Sequence, residues 1–165
     1  MNDIVKRHEK LAFYGVPTTS GSNTTYTYHR MKGFDSLSTS KNPKEYSRQY
    51  IDEEFEQTDI VGYSPSISFG FDEFKDNAVH KDIKDIFDGE KTGESAVRPI
   101  IMVDMTGTTK TAIKRDFAVV ADSEGDGTDA YKYSGTFRAK GDREIGTATS
   151  SDDWQTLTFA AADSE

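Results

Sequence analysis

Residues 59–104 read DIVGYSPSISFGFDEFKDNAVHKDIKDIFDGEKTGESAVRPIIMVD, and this stretch decides the fold. Tyr63, Ile67, Phe69 and Phe71 occupy odd positions, with Ser64, Ser66 and Ser68 between them. A period of two marks a strand with one apolar and one polar face. Pro65 has no N–H to give a ladder, so the strand begins there, bulges there or lies at a sheet edge. The period then changes. Val79, Ile83, Ile86 and Phe87 recur at three- and four-residue steps, the spacing of one helical face, which predicts a helix over about 77–88. Asp76 or Asn77 can cap its start, and Gly89 can end it in a left-handed conformation. Lys81, Asp82, Lys84 and Asp85 fall on the wet face. Val97–Val103 is a nearly unbroken apolar run, suited to a buried strand. One amphipathic helix clamped on a β-sheet is the implied unit.

Outward from it, the chain reads as further strands. Residues 1–14 set Ile4, Val5, Leu11, Ala12 and Phe13 among charges, as a frayed helix or an extended arm. Gly15–Thr25 is a Gly/Ser/Thr/Pro loop, and Tyr26–Met31 a strand. Residues 33–45 are polar and broken by Asn42-Pro43, which predicts a long loop. Tyr46, Arg48 and Tyr50 restart a period of two into the acidic bend Asp52-Glu53-Glu54. Ile113–Val119 and Tyr131–Phe137 alternate around the acidic turn Ala121–Ala130, a hairpin signature. Ala139–Asp153 is a polar loop, Trp154–Phe159 a last strand, and 160–165 a tail. With seven or eight strands and one helix, the fold class is mainly β: an antiparallel β-sandwich or open barrel with one flanking helix.

The chain has 165 residues, the size of one domain, so a single domain over 1–165 is expected. Hydrophobic residues make up only 34%, enough for a modest core that neighbours would extend. The net charge of -9 argues against a nucleic-acid clamp, which needs a basic footprint. That charge is uneven. Residues 1–50 carry eight Lys/Arg against four Asp/Glu, whereas 141–165 carry one Arg against six acids. Solvated termini explain this, and so does a polar subunit whose basic end meets the acidic end of a neighbour. There is no cysteine, hence no disulfide or thiolate chemistry. No secretory signal pattern and no run of roughly 20 apolar residues occurs, so a soluble protein is expected.

Catalytic patterns are sparse. His8, His29 and His80 have no metal-ligand spacing and read better as satisfied or exposed polar side chains. Asp122, Glu124 and Asp126, with Gly127, imitate the start of a calcium loop. The position that needs a bidentate glutamate is Tyr133, however, and the flanks are strands. An acidic hairpin tip is the default, and metal binding a weak alternative. Gly107-Thr108-Thr109-Lys110-Thr111 lacks phosphate-loop spacing, and no serine sits in a nucleophile elbow. Neighbouring acids such as Glu53-Glu54 and Asp152-Asp153 point to opposite faces of an extended chain, poor geometry for acid–base work. A non-enzyme without cofactor is the expectation.

The succession of segments then resembles a family. A charged N-terminal segment is followed by KNPKEYSRQYIDEEFE, VGYSPSISFGFDEFKDNAVHKDIKDIFDGEKTG and PIIMVDM. The hairpin IKRDFAVVADSEGDG and YKYSGTFRAKGDREIGTA closes the series. This is similar to the tail tube (major tail) proteins of long-tailed, siphophage-type bacteriophages of Gram-positive hosts, over nearly the whole chain and by order and spacing, with no single diagnostic motif. The resemblance implies antiparallel sheets with one flanking helix, homo-hexameric rings stacked head-to-tail into a tube, and long loops and arms bridging rings. It implies a virion protein assembled in the host bacterial cytoplasm. Its partners would be itself, the tape measure, tail terminator and distal tail proteins, and DNA that passes through without specific binding. The family is also similar to tube proteins of contractile tails and of type VI secretion systems, so a sheath is left open. Acids on one face of the strands around Tyr46–Glu56 or Arg115–Ala139 would line the lumen and repel phosphates, with Arg48, Arg115 and Arg138 paired, outward-facing or few. The alternative is a monomeric β-sandwich module binding carbohydrate or Ca²⁺, for which ten Phe, eight Tyr and one Trp supply aromatics.

Overall fold

The computed structural model describes residues 3–125 and 127–162. Strands β1 (Lys10–Ser20), β2 (Asn23–Arg30), β3 (Phe34–Ser40), β4 (Pro43–Arg48), β5 (Gln57–Tyr63) and β6 (Ser66–Asp72) precede helix α1 (Ala78–Asp88). Strands β7 (Val97–Asp104), β8 (Thr111–Glu124), β9 (Lys132–Ala139), β10 (Glu144–Thr149) and β11 (Thr156–Ala161) follow it. Nine strands form one sheet in the order β10-β11-β2-β1-β7-β8-β9-β6-β3, and β4-β5 form a separate pair. The architecture is mainly β, antiparallel, with one α-helix on its flank.

The length of β8 lets the sheet close. Thr111–Lys114 pair with β10, and Phe117–Glu124 pair with β9 further along. Six strands (β8, β7, β1, β2, β11, β10) thereby make a barrel, and β9, β6 and β3 extend from it. Phe13, Ile101, Val103, Ala112, Ala148 and Leu157 fill the barrel. The second core packs α1 and the extension against the outer wall of the barrel. It includes Tyr14, Ile67, Phe69, Phe71, Ile83, Ile86, Ile100, Phe117 and Phe137. Phe13 is opposite Ile101 and Tyr14 opposite Ile100, so β1 and β7 are covered on both faces. A strand buried on both sides reads as a continuous apolar run, which is why Val97–Val103 does not alternate.

The local chemistry of α1 follows its sequence, with two corrections: Asp82, expected on the wet face, turns its carboxylate inward to Arg98 and Tyr14, and the left-handed ending falls one residue past Gly89. Asn77, the cap, accepts from the N–H groups of Val79 and His80 through Oδ1 at 3.0 and 3.2 Å. Gly89 keeps helical angles, and Glu90 takes the left-handed conformation (φ 46°). Glu90 N–H then reaches Phe87 O and Lys91 N–H reaches Ile86 O, the paired bonds of a Schellman ending.

Several loops expected from composition are strands. Gly15–Thr25 is the hairpin of β1 and β2, joined by a two-residue turn with Gly21 at φ 63°. The arm expected over 1–14 enters the sheet at Lys10 and buries Phe13 and Tyr14 completely. The loop expected at 33–45 holds β3 and the start of β4; its Ser/Thr-rich sequence is that of a half-exposed ladder. β4 ends at Arg48, before the predicted Tyr50. The polar segment 139–153 contains β10, which joins β8 to β11. Trp154 lies in the turn before β11, left-handed (φ 61°), with its ring 6.3 Å from Phe13. In the expected tail, Ala160 and Ala161 pair with Thr147 and Gly146, and residues 163–165 lie outside the described range.

Candidate assembly surface

β3, β4, β5 and β6 form one long bent hairpin. The ladder between β3 and β6 ends at Ser40 opposite Ser66, and that of β4 and β5 resumes at Pro43 opposite Tyr63. Asn42, left-handed at φ 48°, makes the bend, and its Nδ2 donates to Ser64 O (3.0 Å) and Ser66 Oγ (3.1 Å). Pro65 sits at the same break, so β6 begins just after it, one of the three roles its missing N–H allows. Tyr63 therefore belongs to β5 and is exposed.

Beyond the bend, Pro43–Tyr63 stands away from the body as an arm, and none of its residues is buried. Tyr46, Tyr50, Ile51, Phe55, Ile60, Val61 and Tyr63 are all exposed. Ile60 stands opposite Glu45 and Val61 is the extra residue of a β-bulge, and both are exposed, so the arm meets no core. Internal contacts keep it straight. Arg48 Nη1 donates to Asp59 Oδ2 at 2.6 Å and its guanidinium lies 5.5 and 5.9 Å from the Tyr46 and Tyr50 rings. The hydrogen bond to Asp59, then that to Tyr50, raises the Arg48 pKa. Arg48 is paired, whereas among the described residues Arg115 and Arg138 take part in no ion pair.

The body presents two further features. Among the described residues, β3 is the terminal strand of the main sheet, paired only with β6, since β10 pairs β8. The face of β6 and β9 turned away from α1 carries Ser66, Ser68, Ser134, Thr136 and Arg138, and Ser123 Oγ lies 2.7 Å from Ser134 Oγ. Charges near its end are compensated: Lys132 Nζ sits 2.8 Å from Asp35 and 3.6 Å from Asp72. Those two carboxylates, Asp35 first, raise the Lys132 pKa. Where acids are expected around Arg115–Ala139, this face of β9 and the paired face of β6 carry mostly hydroxyls.

On the buried side, α1 is tied down by a polar cluster. Asp82 accepts from Arg98 Nε at 2.8 Å and from Tyr14 Oη at 2.5 Å, and Arg98 Nη1 also donates to the carbonyls of Ser95 and Val97. Burial, then the Asp82 charge, pushes the Tyr14 hydroxyl well above its ordinary range. Burial works against the charge on Arg98, but the hydrogen bond and charge of Asp82 and the nearby Tyr14 raise its pKa on balance. His80 is also completely buried; its Nδ1 accepts from Phe74 N–H (3.1 Å) and its Nε2 faces Lys32 O at 2.7 Å. Burial lowers its pKa. All these groups are satisfied structural elements.

His8 is exposed in a 3-10 turn (Arg7–Glu9), and His29 lies in β2 opposite Tyr14. Among the described residues no three His, Asp or Glu side chains gather as a metal site. Asp122 and Glu124 are exposed near the end of β8, and Asp126 lies outside the described residues. Asp152 holds its own turn by accepting from Thr156 Oγ1 and N–H and from Ser150 Oγ, which lowers its pKa to about 2. Asp153 takes no part in that cluster. Among the described residues no helix is long and apolar enough to cross a membrane.

No protein-family model matches the chain, and no curated protein sequence matches it. Solved structures do. A chain of the tail of an empty gene transfer agent particle, refined with six-fold symmetry, superposes with a TM-score of 0.61 at 14% identity, over 96% of this chain and all of that one. The fold is one found in tail assemblies. A chain of the native gene transfer agent virion gives 0.59 at 12% identity, over 86% of this chain and 98% of that chain. A chain of the six-fold anti-feeding prophage baseplate gives 0.50 at 10% identity, over 88% and 97%. At such identities the likeness is one of fold.

Proposed function

We propose that this chain is a structural tail-tube subunit, a single tail-tube-like domain that closes into hexameric rings and stacks into a conduit for DNA. The observation that carries the reading is the unburied arm Pro43–Tyr63 on a body with the fold of six-fold tail particles. A monomer gains nothing by holding Ile51 and Phe55 at 108% and 75% exposure, whereas an assembling subunit buries them. The unpaired β3 edge fits closure between neighbours, because ring formation removes strand edges. The Ser/Thr face of β6 and β9 suits a lumen, since its hydroxyls offer phosphates no ion pair, and the overall charge of -9 adds repulsion that outweighs the single exposed Arg138 on that face. Asp116 and the bulge residue Asp122 on β8 are the acids this reading places nearest that lumen, whereas Glu124 stands opposite Tyr133 on the α1 side. In this role the subunit belongs to the virion tail of a long-tailed phage, assembled in the host cytoplasm. Tape measure, tail terminator and distal tail proteins are its neighbours, and no catalytic step is needed.

Negative-stain electron microscopy of concentrated protein, with light scattering for mass, tests it. Six-fold rings or hollow tubes are expected. A monomer at every concentration and salt, melting higher with glycan or Ca²⁺, overturns the reading in favour of a binding module.

A further inference from the structure

The base of the arm and its tip are chemically complementary. At the base, a cavity of about 490 Å³ opens between β6 and the outer wall of barrel strands β7 and β8. Tyr63, Met102 and Ile113 give it apolar walls; Lys41, Arg115 and Arg143 are its charged residues, and no carboxylate lines it. Among the described residues these three cations take part in no ion pair within 4.0 Å. Arg115 Nε is buried there without a hydrogen-bond partner. In a chain of net charge -9, a wholly cationic, apolar-walled groove is a local inversion. At the tip, the sequence Tyr50–Glu56 (YIDEEFE) offers the opposite: four carboxylates around Ile51 and Phe55, the most exposed large apolar residues of the arm.

The tip cannot fill the groove of its own chain. β5 runs from Gln57 to Tyr63, about 20 Å at roughly 3.3 Å per residue, with the tip at one end and the groove at the other. We propose that the arm tip of one copy seats in the Lys41–Arg115–Arg143 groove of the next copy. Ile51 and Phe55 enter against Met102 and Ile113, and Asp52, Glu53, Glu54 and Glu56 meet the three cations. Tip and groove are different patches, so the contact is heterologous and propagates from copy to copy. Its charges set register and speed encounter, while the two apolar residues supply the buried area. This contact rests on the tail-tube reading and names the surface through which copies add.

Charge reversal with restoration tests it in the full chain. Lys41→Glu with Arg143→Glu, and separately Glu53→Lys with Glu54→Lys, each raise the concentration needed for polymer by at least about tenfold. All four changes in one chain restore assembly. The chain has no cysteine, so a Phe55→Cys, Ile113→Cys double variant gives a clean second readout. Under oxidation it yields a disulfide-linked ladder on non-reducing gels that neither single variant gives. Wild-type tubes together with normal assembly of both reversed variants and no ladder overturn the contact and leave the tail-tube reading standing. A wild type that stays monomeric throughout overturns both.

Discussion

Arg98 Nε lies 2.8 Å from Asp82 Oδ2, joining the first residues of β7 to the middle of α1 with side chains only 8% and 12% exposed. The pair ties the helix to the sheet at a point the apolar contacts of Ile83, Ile86 and Phe87 leave undefined. A buried pair of this kind adds little over an apolar substitute, yet losing one partner strands the other.

Asp82→Ala therefore destabilises the fold by about 3–5 kcal/mol, because Arg98 keeps its charge without its carboxylate. Tyr14→Phe costs only about 1–2 kcal/mol, since Asp82 still has Arg98. Urea denaturation followed by circular dichroism measures both. An Asp82→Ala cost no larger than that of Tyr14→Phe would show that the pair is not the anchor.

His80 makes the fold sensitive to mild acid. Its Nδ1 accepts the Phe74 N–H, so protonation there breaks that bond, and burial lowers its pKa below the ordinary 6.5. Below pH 6.5 the unfolded chain takes up a proton that the folded chain refuses. The contribution is thus present above about 6.5 and declines as pH falls, by at most about 1.4 kcal/mol per pH unit. Thermal melts between pH 7.5 and 5 should show this slope, and His80→Gln should flatten it. Asp72 and Glu73, the charges felt at His80, oppose the effect without cancelling it. Parallel slopes for the two proteins would remove His80 as the cause.

Close approach decides a glycine pair. A Cβ on Gly135 would stand 2.4 Å from Val120 O and 2.9 Å from Phe69 Cζ, in the middle of the β6–β9–β8 ladder. Gly135→Ala is expected to cost about 1–3 kcal/mol by overpacking. Gly62 in the arm has nothing within 4 Å of its would-be Cβ, so Gly62→Ala should leave the melting temperature unchanged. Equal melting of the two variants would contradict the packing described here.

The sequence made α1, β6, β7 and the β8–β9 hairpin legible because each has one buried face or two. Val79, Ile83, Ile86 and Phe87 are all buried, as their spacing predicts. β3 and β10 were hidden because SLSTS and EIGTAT bury little: they complete ladders more than they fill cores. Tertiary pairing, which no local pattern encodes, makes them strands. The arm was half legible. Its strand period shows in Tyr46 and Arg48, but the exposure of Ile60 and Val61 is a property of the folded body. Two adjacent apolar residues with no core face were the available signal. The cationic groove draws Lys41, Arg115 and Arg143 from three distant segments, so spacing could not reveal it.

The arm separates folding from assembly. None of Pro43–Tyr63 is buried, and its two strands pair only with each other. A two-stranded ribbon of this kind adds little to the stability of the body. Replacing Pro43–Tyr63 by a short Gly-rich turn between Asn42 and Ser64 should thus leave the melting temperature within a few degrees of the wild type, since the β3–β6 ladder and both cores remain. The same variant should form no tubes at concentrations where the wild type polymerises, because it lacks Ile51, Phe55 and the tip carboxylates. Calorimetry and electron microscopy of one preparation read the two properties together. A large fall in melting temperature would show the arm to be part of the folding unit, and unimpaired tubes would show that assembly runs through the β3 edge alone.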